Sequence, residues 1–314
     1  MNMEKILVIG SYNVGISIVS PKIPARGETV LGGGFAVGPG GKGSNQAITL
    51  ARLGADLHFL CKIGDDSFGK DALALFKREK MSLDSILVEP NCHSGAGLVL
   101  IDEQGYNAIS VAPGANEKLS LGDLRTHAHL FKACRYLLVQ FETPHAVVAE
   151  AIRMAKAGGA TVICNPAPAR QLDDEFLRLV DFLTPNETEA EILTGLPVRS
   201  VEEGIAAARQ LIDRGTPNVV VTLGGQGAVW AARNFTRHFP AFPVKAVDTT
   251  GAGDAFNGGF AYGLATGMPV EEALLFGSRV AALSVTRYGT VAGLPTLAQV
   301  QSFDEQILSQ SVTN

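Results

Sequence analysis

Cysteine is scarce in this chain and unpatterned. Cys61, Cys92, Cys134 and Cys164 show no CxxC spacing, which argues against the common structural zinc sites and against a disulfide framework. Cys61, Cys134 and Cys164 lie in or beside apolar runs and read as buried, reduced thiols. The six histidines form no HExxH pattern, and the closest pair, His127 and His129, reads as helix surface. No basic run interleaved with aromatics is present and the formal net charge is −5, so no nucleic-acid partner is expected. Long apolar runs are missing too. Met1-Asn2-Met3-Glu4-Lys5 leads directly into Ile6-Leu7-Val8-Ile9-Gly10, too short for a signal-peptide core or a membrane span, which predicts a cytoplasmic protein with no membrane partner. Neither GxxxxGK[ST] nor a GxGxxG after the first strand occurs, so P-loop and Rossmann dinucleotide readings lack support.

What the chain does have is apolar content enough for a large core, 46% of 314 residues. The run from Glu4 to Gly10 reads as a first buried strand ending at a glycine. After Ser11 the pattern changes to short strand-like pieces, Ile16-Ser17-Ile18-Val19, Glu28-Thr29-Val30-Leu31 and Phe35-Ala36-Val37, broken by Pro21, Pro24 and Gly27. A hairpin pattern returns at Gly97-Leu98-Val99-Leu100-Ile101 and Asn107-Ala108-Ile109-Ser110-Val111. Neither piece is stable alone, so the two are expected to form one small sheet beside the main domain. Elsewhere helices over 45–53, 66–80, 145–157, 173–180, 187–194 and 201–214 alternate with strands over 57–61, 136–140, 161–164 and 219–223. That alternation predicts an α/β fold, a mostly parallel sheet covered by helices on both faces, with ligands at the C-terminal strand ends. The tail after Leu308 is polar and reads as frayed.

The chemistry concentrates in Val247-Asp248-Thr249-Thr250-Gly251-Ala252-Gly253-Asp254. Small residues followed by the apolar Phe256, Phe260 and Leu264 read as a tight turn opening into a buried helix. Free N–H groups at such a helix start carry partial positive charge, so Gly251, Ala252 and Gly253 can form an anion socket. Asp254 beside that socket is electrostatically awkward unless it accepts a proton from a hydroxyl attacking a phosphoryl group. Four further clusters stand at strand ends or helix starts. Lys42 and Asn45 sit among glycines in Gly38-Pro39-Gly40-Gly41-Lys42-Gly43-Ser44-Asn45, which let a ligand approach the backbone. Glu142 follows the strand over 136–140 and reads either as a site residue or as a surface carboxylate. Asn186 and Glu189 read both as a helix N-terminus and as oxygen donors able to orient water around Mg²⁺. Thr222-Leu223-Gly224-Gly225-Gln226-Gly227 suits close passage of nucleotide phosphates and ribose, a weak signal by itself.

Taken together these segments resemble the PfkB carbohydrate kinase family, in its ribokinase branch. Gly40-Gly41-Lys42-Gly43-Ser44-Asn45-Gln46-Ala47 and Asp248-Thr249-Thr250-Gly251-Ala252-Gly253-Asp254 carry the resemblance, with Asn165-Pro166-Ala167-Pro168-Ala169 and Thr184-Pro185-Asn186-Glu187-Thr188-Glu189 between them. The resemblance implies a three-layer, doubly wound α/β domain over 1–12, 39–93 and 113–314, and a β-sheet lid over 13–38 and 94–112. It implies transfer of the ATP γ-phosphoryl group to a primary hydroxyl of a small sugar, ribose or a related pentose, by a homodimer paired through its lids. By position, Asp254 would be the base and the N–H groups of Gly251, Ala252 and Gly253 the anion hole. Asn13, Gly41, Lys42, Asn45 and Glu142 would contact the sugar. Asn186 and Glu189 would act on Mg²⁺ and phosphate, and Thr222, Gly224 and Gly227 on the nucleotide. An activating K⁺ would sit beside Asp248 and Thr250, with the segment 286–293, including Gly289, supplying the rest.

One departure stands out. Ribokinases carry Asn-x-Asp where this chain has Asn13-Val14-Gly15, so an acceptor for two ring hydroxyls is missing. Its loss would cost roughly 1.5–3 kcal/mol per hydrogen bond unless replaced. Ser11, Ser17 or a water replaces it, or the substrate differs at those carbons, which keeps a nucleoside or ketohexose kinase open. A sugar-binding regulator without catalysis is disfavoured by Asp254, the intact Gly-Ala-Gly turn, Asn186 and Glu189.

Overall fold

The computed structural model describes residues 3–303, so the polar tail after Leu308 lies outside the described residues. The chain runs β1 (Ile6–Ile9), β2 (Asn13–Ser20), β3 (Gly34–Gly40), α1 (Lys42–Leu53), β4 (Leu57–Gly64), α2 (Ser67–Arg78), β5 (Ile86–Glu89), β6 (Gly95–Asp102) and β7 (Asn107–Ala112). A 3₁₀ turn (Gly114–Lys118) then leads to α3 (Leu121–Thr126), α4 (Ala128–Ala133), β8 (Tyr136–Val139), α5 (His145–Ala157), β9 (Thr161–Cys164), α6 (Asp174–Leu179), β10 (Phe182–Leu183), α7 (Glu187–Thr194) and α8 (Val201–Asp213). The last part comprises β11 (Asn218–Thr222), a second 3₁₀ turn (Gly224–Gln226), β12 (Ala228–Ala232), β13 (Phe235–Phe239), α9 (Ala252–Ala265), α10 (Val270–Ser284) and α11 (Thr290–Gly293).

Nine strands form the main sheet in the order β13-β12-β11-β10-β9-β8-β1-β4-β5. All neighbours from β11 through β5 pair in parallel, and β12 and β13 close one edge antiparallel. Alternation along β1 shows how both faces are covered. Ile6 and Val8 enter the core shared with α1, α2, α9 and α10, whereas Leu7 and Ile9 enter the core shared with α3 to α8. The fold is therefore the expected three-layer α/β arrangement. From β1 the chain builds outward to β4 and β5 on one side and from β8 to β11 on the other, so the direction of winding reverses there. A crevice opens at the C-terminal strand ends of such a reversal.

The small sheet has the order β3-β2-β6-β7, with β2 antiparallel to β3 and parallel to β6. Two sequence expectations need correction. Glu28 to Leu31 form no strand, because the segment between β2 and β3 is a loop whose turn is tied by Glu28 accepting from the Ala25 N–H at 3.0 Å. The helix expected from Asn45 starts at Lys42, since Gly41 adopts φ 93° and ends the strand that precedes it. An added Cβ at Gly41 would stand 2.7 Å from Asn13 N, so only glycine fits where β3, α1 and β2 converge.

Candidate active site

Helix α9 starts as expected. Gly251 takes φ 81°, a left-handed geometry that turns the chain into the helix, and Asp254 falls in the first turn. Of the three N–H groups read as a socket, that of Ala252 donates to the Thr249 carbonyl at 3.2 Å and so also holds the turn. Every residue of α9 from Asp254 to Ala265 is buried, including Asp254 at 5% exposure. Burial pushes its carboxyl above the ordinary range, while the Lys42 ammonium and hydrogen bonds from Asn45 and Gln46 pull it part of the way back. Asn45 Nδ2 reaches Asp254 Oδ2 at 2.8 Å and Gln46 Nε2 reaches Oδ1 at 3.0 Å. Asn45 Oδ1 is buried without a protein partner.

Three donors converge on Glu142 Oε2 just beyond β8: the Ser11 hydroxyl, Asn13 Nδ2 at 3.3 Å and the Lys42 N–H at 2.8 Å. Asn13 is in turn held by Asn116 Nδ2 at 2.8 Å. Glu142 is thus built into the junction of β1, β2, α1 and β8 rather than lying on open surface. Lys42 is half-buried and faces Asp254, Glu142 and Glu189. Burial opposes its charge, but the three carboxylates outweigh that and hold its ammonium above the usual range.

A polar cavity of about 210 Å³ opens over the α9 N-terminus. Its walls include Lys42, Asn186, Glu189, Thr222 and the run from Gly251 to Asp254. Asn186 and Glu189 form a capping box at α7: Asn186 Oδ1 accepts from the Glu189 N–H at 2.8 Å, and Glu189 Oε2 from the Asn186 N–H at 2.9 Å. Burial raises the Glu189 carboxyl, against the opposing pull of the Asn186 N–H and Lys42. Thr222 ends β11 and bridges to Asn186 across a parallel contact. Gly224 opens the 3₁₀ turn that follows it, and Gly227 closes that turn.

Asp248, Thr250 and Gly289, read as cation neighbours, are drawn together. Asp248 Oδ1 accepts from the Thr250 N–H at 2.9 Å and Oδ2 from the Gly289 N–H at 3.0 Å. Burial opposes the charge, but these bonds, with that from the Thr250 hydroxyl, hold the carboxyl below its usual range. Asn165, Thr184, Thr249 and Asn257 also line the cavity, and sequence reasoning gave none of them a role. The available signal was position. Asn165 and Thr184 are the polar residues that immediately follow the apolar runs of β9 and β10.

A doubly wound sheet with a buried carboxylate in the first turn of a helix, beside a polar cavity at the strand ends, is an arrangement that phosphoryl transfer can use. Residues 3–297 match the family described as pfkB family carbohydrate kinase. A ribokinase of Haemophilus influenzae is 40% identical over 304 residues, covering 96% of this chain and 99% of its own. A deoxyribokinase of Salmonella typhi is also 40% identical, over 301 residues, covering 95% and 98%. The structure of an Arabidopsis thaliana ribokinase complexed with ribose and ATP superposes with a TM-score of 0.88 at 29% identity, covering 96% and 98%. The chain belongs to the pfkB family of carbohydrate kinases, in its ribokinase-like branch. It is accordingly an ATP-dependent sugar kinase, with no helix among the described residues long and apolar enough to cross a membrane.

Proposed function

We propose that the protein transfers the γ-phosphoryl group of ATP to a primary hydroxyl of ribose or a related pentose, in the cytoplasm where ATP is supplied. The observation that carries this reading is Asp254, buried at the start of α9 and facing the cavity that Lys42, Asn186 and Glu189 share. Asp254 accepts the hydroxyl proton as the sugar oxygen bonds to the γ-phosphorus. The bond from that phosphorus to the β,γ-bridging oxygen breaks, and ADP leaves. The N–H groups at the α9 start and the Lys42 ammonium take up negative charge on the moving group. Asn45 Oδ1, a buried acceptor without a protein partner, faces a hydroxyl of the sugar. Glu142, Asn13 and Gly41 form the sugar-side wall, and Thr222, Gly224 and Gly227 the nucleotide side.

Mg²⁺ fits the donor set in one way. Among the described residues no three acidic, cysteine or histidine side chains gather into a metal cage, and Glu189 already accepts from Asn186. That suits an ion kept largely in water and on ATP oxygens, with Asn186 and Glu189 orienting the water. Bound there, it supplies charge neutralisation of the phosphates. K⁺ would sit at the loop beside Asp248, Thr250 and Gly289, held by backbone carbonyls of that loop, with the Asp248 carboxylate, whose two oxygens each accept an N–H bond, fixing the loop and adding negative charge nearby.

In this reading the small sheet, over 13–38 and 94–112, is a lid on the domain formed by 1–12, 39–93 and 113–314. Its exposed Phe35, Val37, Ile109 and Val111 support pairing of two lids into a homodimer. The testing experiment is ADP release over pentoses, deoxypentoses, hexoses and nucleosides, with and without K⁺, for the wild type and Asp254→Asn. Turnover of ribose or another pentose that collapses in Asp254→Asn while sugar binding persists supports the reading. Near-normal turnover of Asp254→Asn removes Asp254 as the base. A best substrate among nucleosides or ketohexoses, the opening left by Gly15, replaces the pentose.

A further inference from the structure

Asp254 is held from behind by residues that do not line the cavity. Gln46 and Gln140 have no exposed surface. Gln46 Nε2 donates to Asp254 Oδ1 at 3.0 Å and to Asn165 Oδ1 at 3.2 Å. Its Oε1 accepts from Gln140 Nε2 at 2.6 Å. The chemistry of the groups dictates this direction. An ionised carboxylate only accepts, so Gln46 must present its amino end there, which leaves its carbonyl for the amino end of Gln140. Adjacent residues of α1 therefore supply one donor to each carboxylate oxygen, Asn45 to Oδ2 and Gln46 to Oδ1. Space for the Gln140 amide comes from Gly10 at the end of β1, where a Cβ would lie 2.1 Å from Gln140 Oε1.

We propose that Gln46, buttressed by Gln140, is the positioning residue of the general base, locking the rotation of the Asp254 carboxylate and keeping it ionised. The inference rests on Asp254 acting as the base. A buried carboxylate stripped of a donor turns more easily about its Cβ–Cγ bond and holds a proton more tightly. Both changes lower the fraction of base ready to receive the hydroxyl proton. Neither alters the residues that form the sugar-side wall.

The test uses Gln46→Met and Gln140→Met, which keep volume and remove the hydrogen bonds, beside Asp254→Asn, with kcat and KM for the sugar measured across pH. For Gln46→Met, kcat at neutral pH should fall about tenfold, with sugar KM changed less than about threefold. The acid limb of its profile should move up by about one pH unit, so that activity partly recovers in alkaline buffer. Gln140→Met should move the limb in the same direction and less. An unshifted limb in Gln46→Met, or a loss equal at every pH with sugar KM rising in step, overturns the proposal. Should Gln46→Met fail to fold, the profile of Gln140→Met decides in the same terms. Asp254→Asn separates the two readings. If it retains turnover, the base assignment fails; if it is inactive and the Gln46→Met limb is unmoved, the positioning role alone fails.

Discussion

Asn45 Nδ2 donates to Asp254 Oδ2 at 2.8 Å, a contact between residues 209 positions apart that joins the glycine-rich start of α1 to the start of α9. The same Asn45 leaves Oδ1 buried and without a protein partner. A buried acceptor in that state costs free energy until a donor arrives, and a sugar hydroxyl is such a donor. Asn45→Leu should therefore raise sugar KM roughly tenfold, the equivalent of about 1.4 kcal/mol, and lower kcat as well. Steady-state kinetics with saturating ATP measure both, and unchanged KM would separate Oδ1 from the substrate.

Asp254 also makes stability depend on pH in a stated direction. Its carboxyl is raised in the folded state, chiefly by burial, so the fold favours the neutral form. That contribution is complete below the ordinary carboxylate pKa of about 3.9 and is lost as pH rises through the raised folded value. Asparagine mimics the neutral form at every pH. Asp254→Asn should accordingly melt at a higher temperature than wild type in mildly alkaline buffer, with the gap closing in acid below about pH 4. Paired thermal melts check the sign, and equal melting temperatures in alkali would contradict it.

Arg52 clamps the segment that carries Gly289. Its guanidinium pairs with Glu79 at 2.9 and 2.8 Å, and Nη1 donates to the Val291 and Leu294 carbonyls, each at 2.7 Å. Arg52→Met should cost about 1.5–3 kcal/mol, the range for hydrogen bonds to a charged group. On the proposed K⁺ site, where Asp248 ties Gly289 to the turn before α9, the variant should also need more K⁺ for half-activation. Urea denaturation reads the first effect and a K⁺ titration of turnover the second.

Thiol reactivity should be confined to one cysteine. Burial pushes the Cys61, Cys134 and Cys164 thiols upward, strongly for Cys61 and Cys164, whereas Cys92 is half-buried. Only a thiolate attacks, so a maleimide should label Cys92 in the native protein and the other three after unfolding. Peptide mass mapping before and after denaturant distinguishes the sites, and rapid native labelling of Cys61 would run against this packing.

Much of the layering is legible in the sequence, because burial on two faces leaves apolar strands and helices alternating in order. Glu28 to Leu31 misled because β-branched, apolar composition does not specify a pairing partner, and here the loop found none. The parallel pairing of β2 with β6 was invisible for a related reason: register between segments some eighty positions apart is settled by the surface they share, not by either segment alone.

At the site itself, the amino-acid sequence determined the turn from Asp248 to Asp254 and the capping box of Asn186 and Glu189. These depend on residues within a few positions of each other, where backbone geometry and hydrogen bonding are local. Tertiary structure alone decided that Gln46 and Gln140 stand behind the Asp254 carboxylate with Asn165 on Gln46, that Ser11, Asn13 and Lys42 all turn toward Glu142, and that Asp248 reaches Gly289. Those partners lie far apart along the chain. They meet because the parallel sheet brings its strand ends to one crevice, where a buried polar group must take whichever partner the packing places beside it.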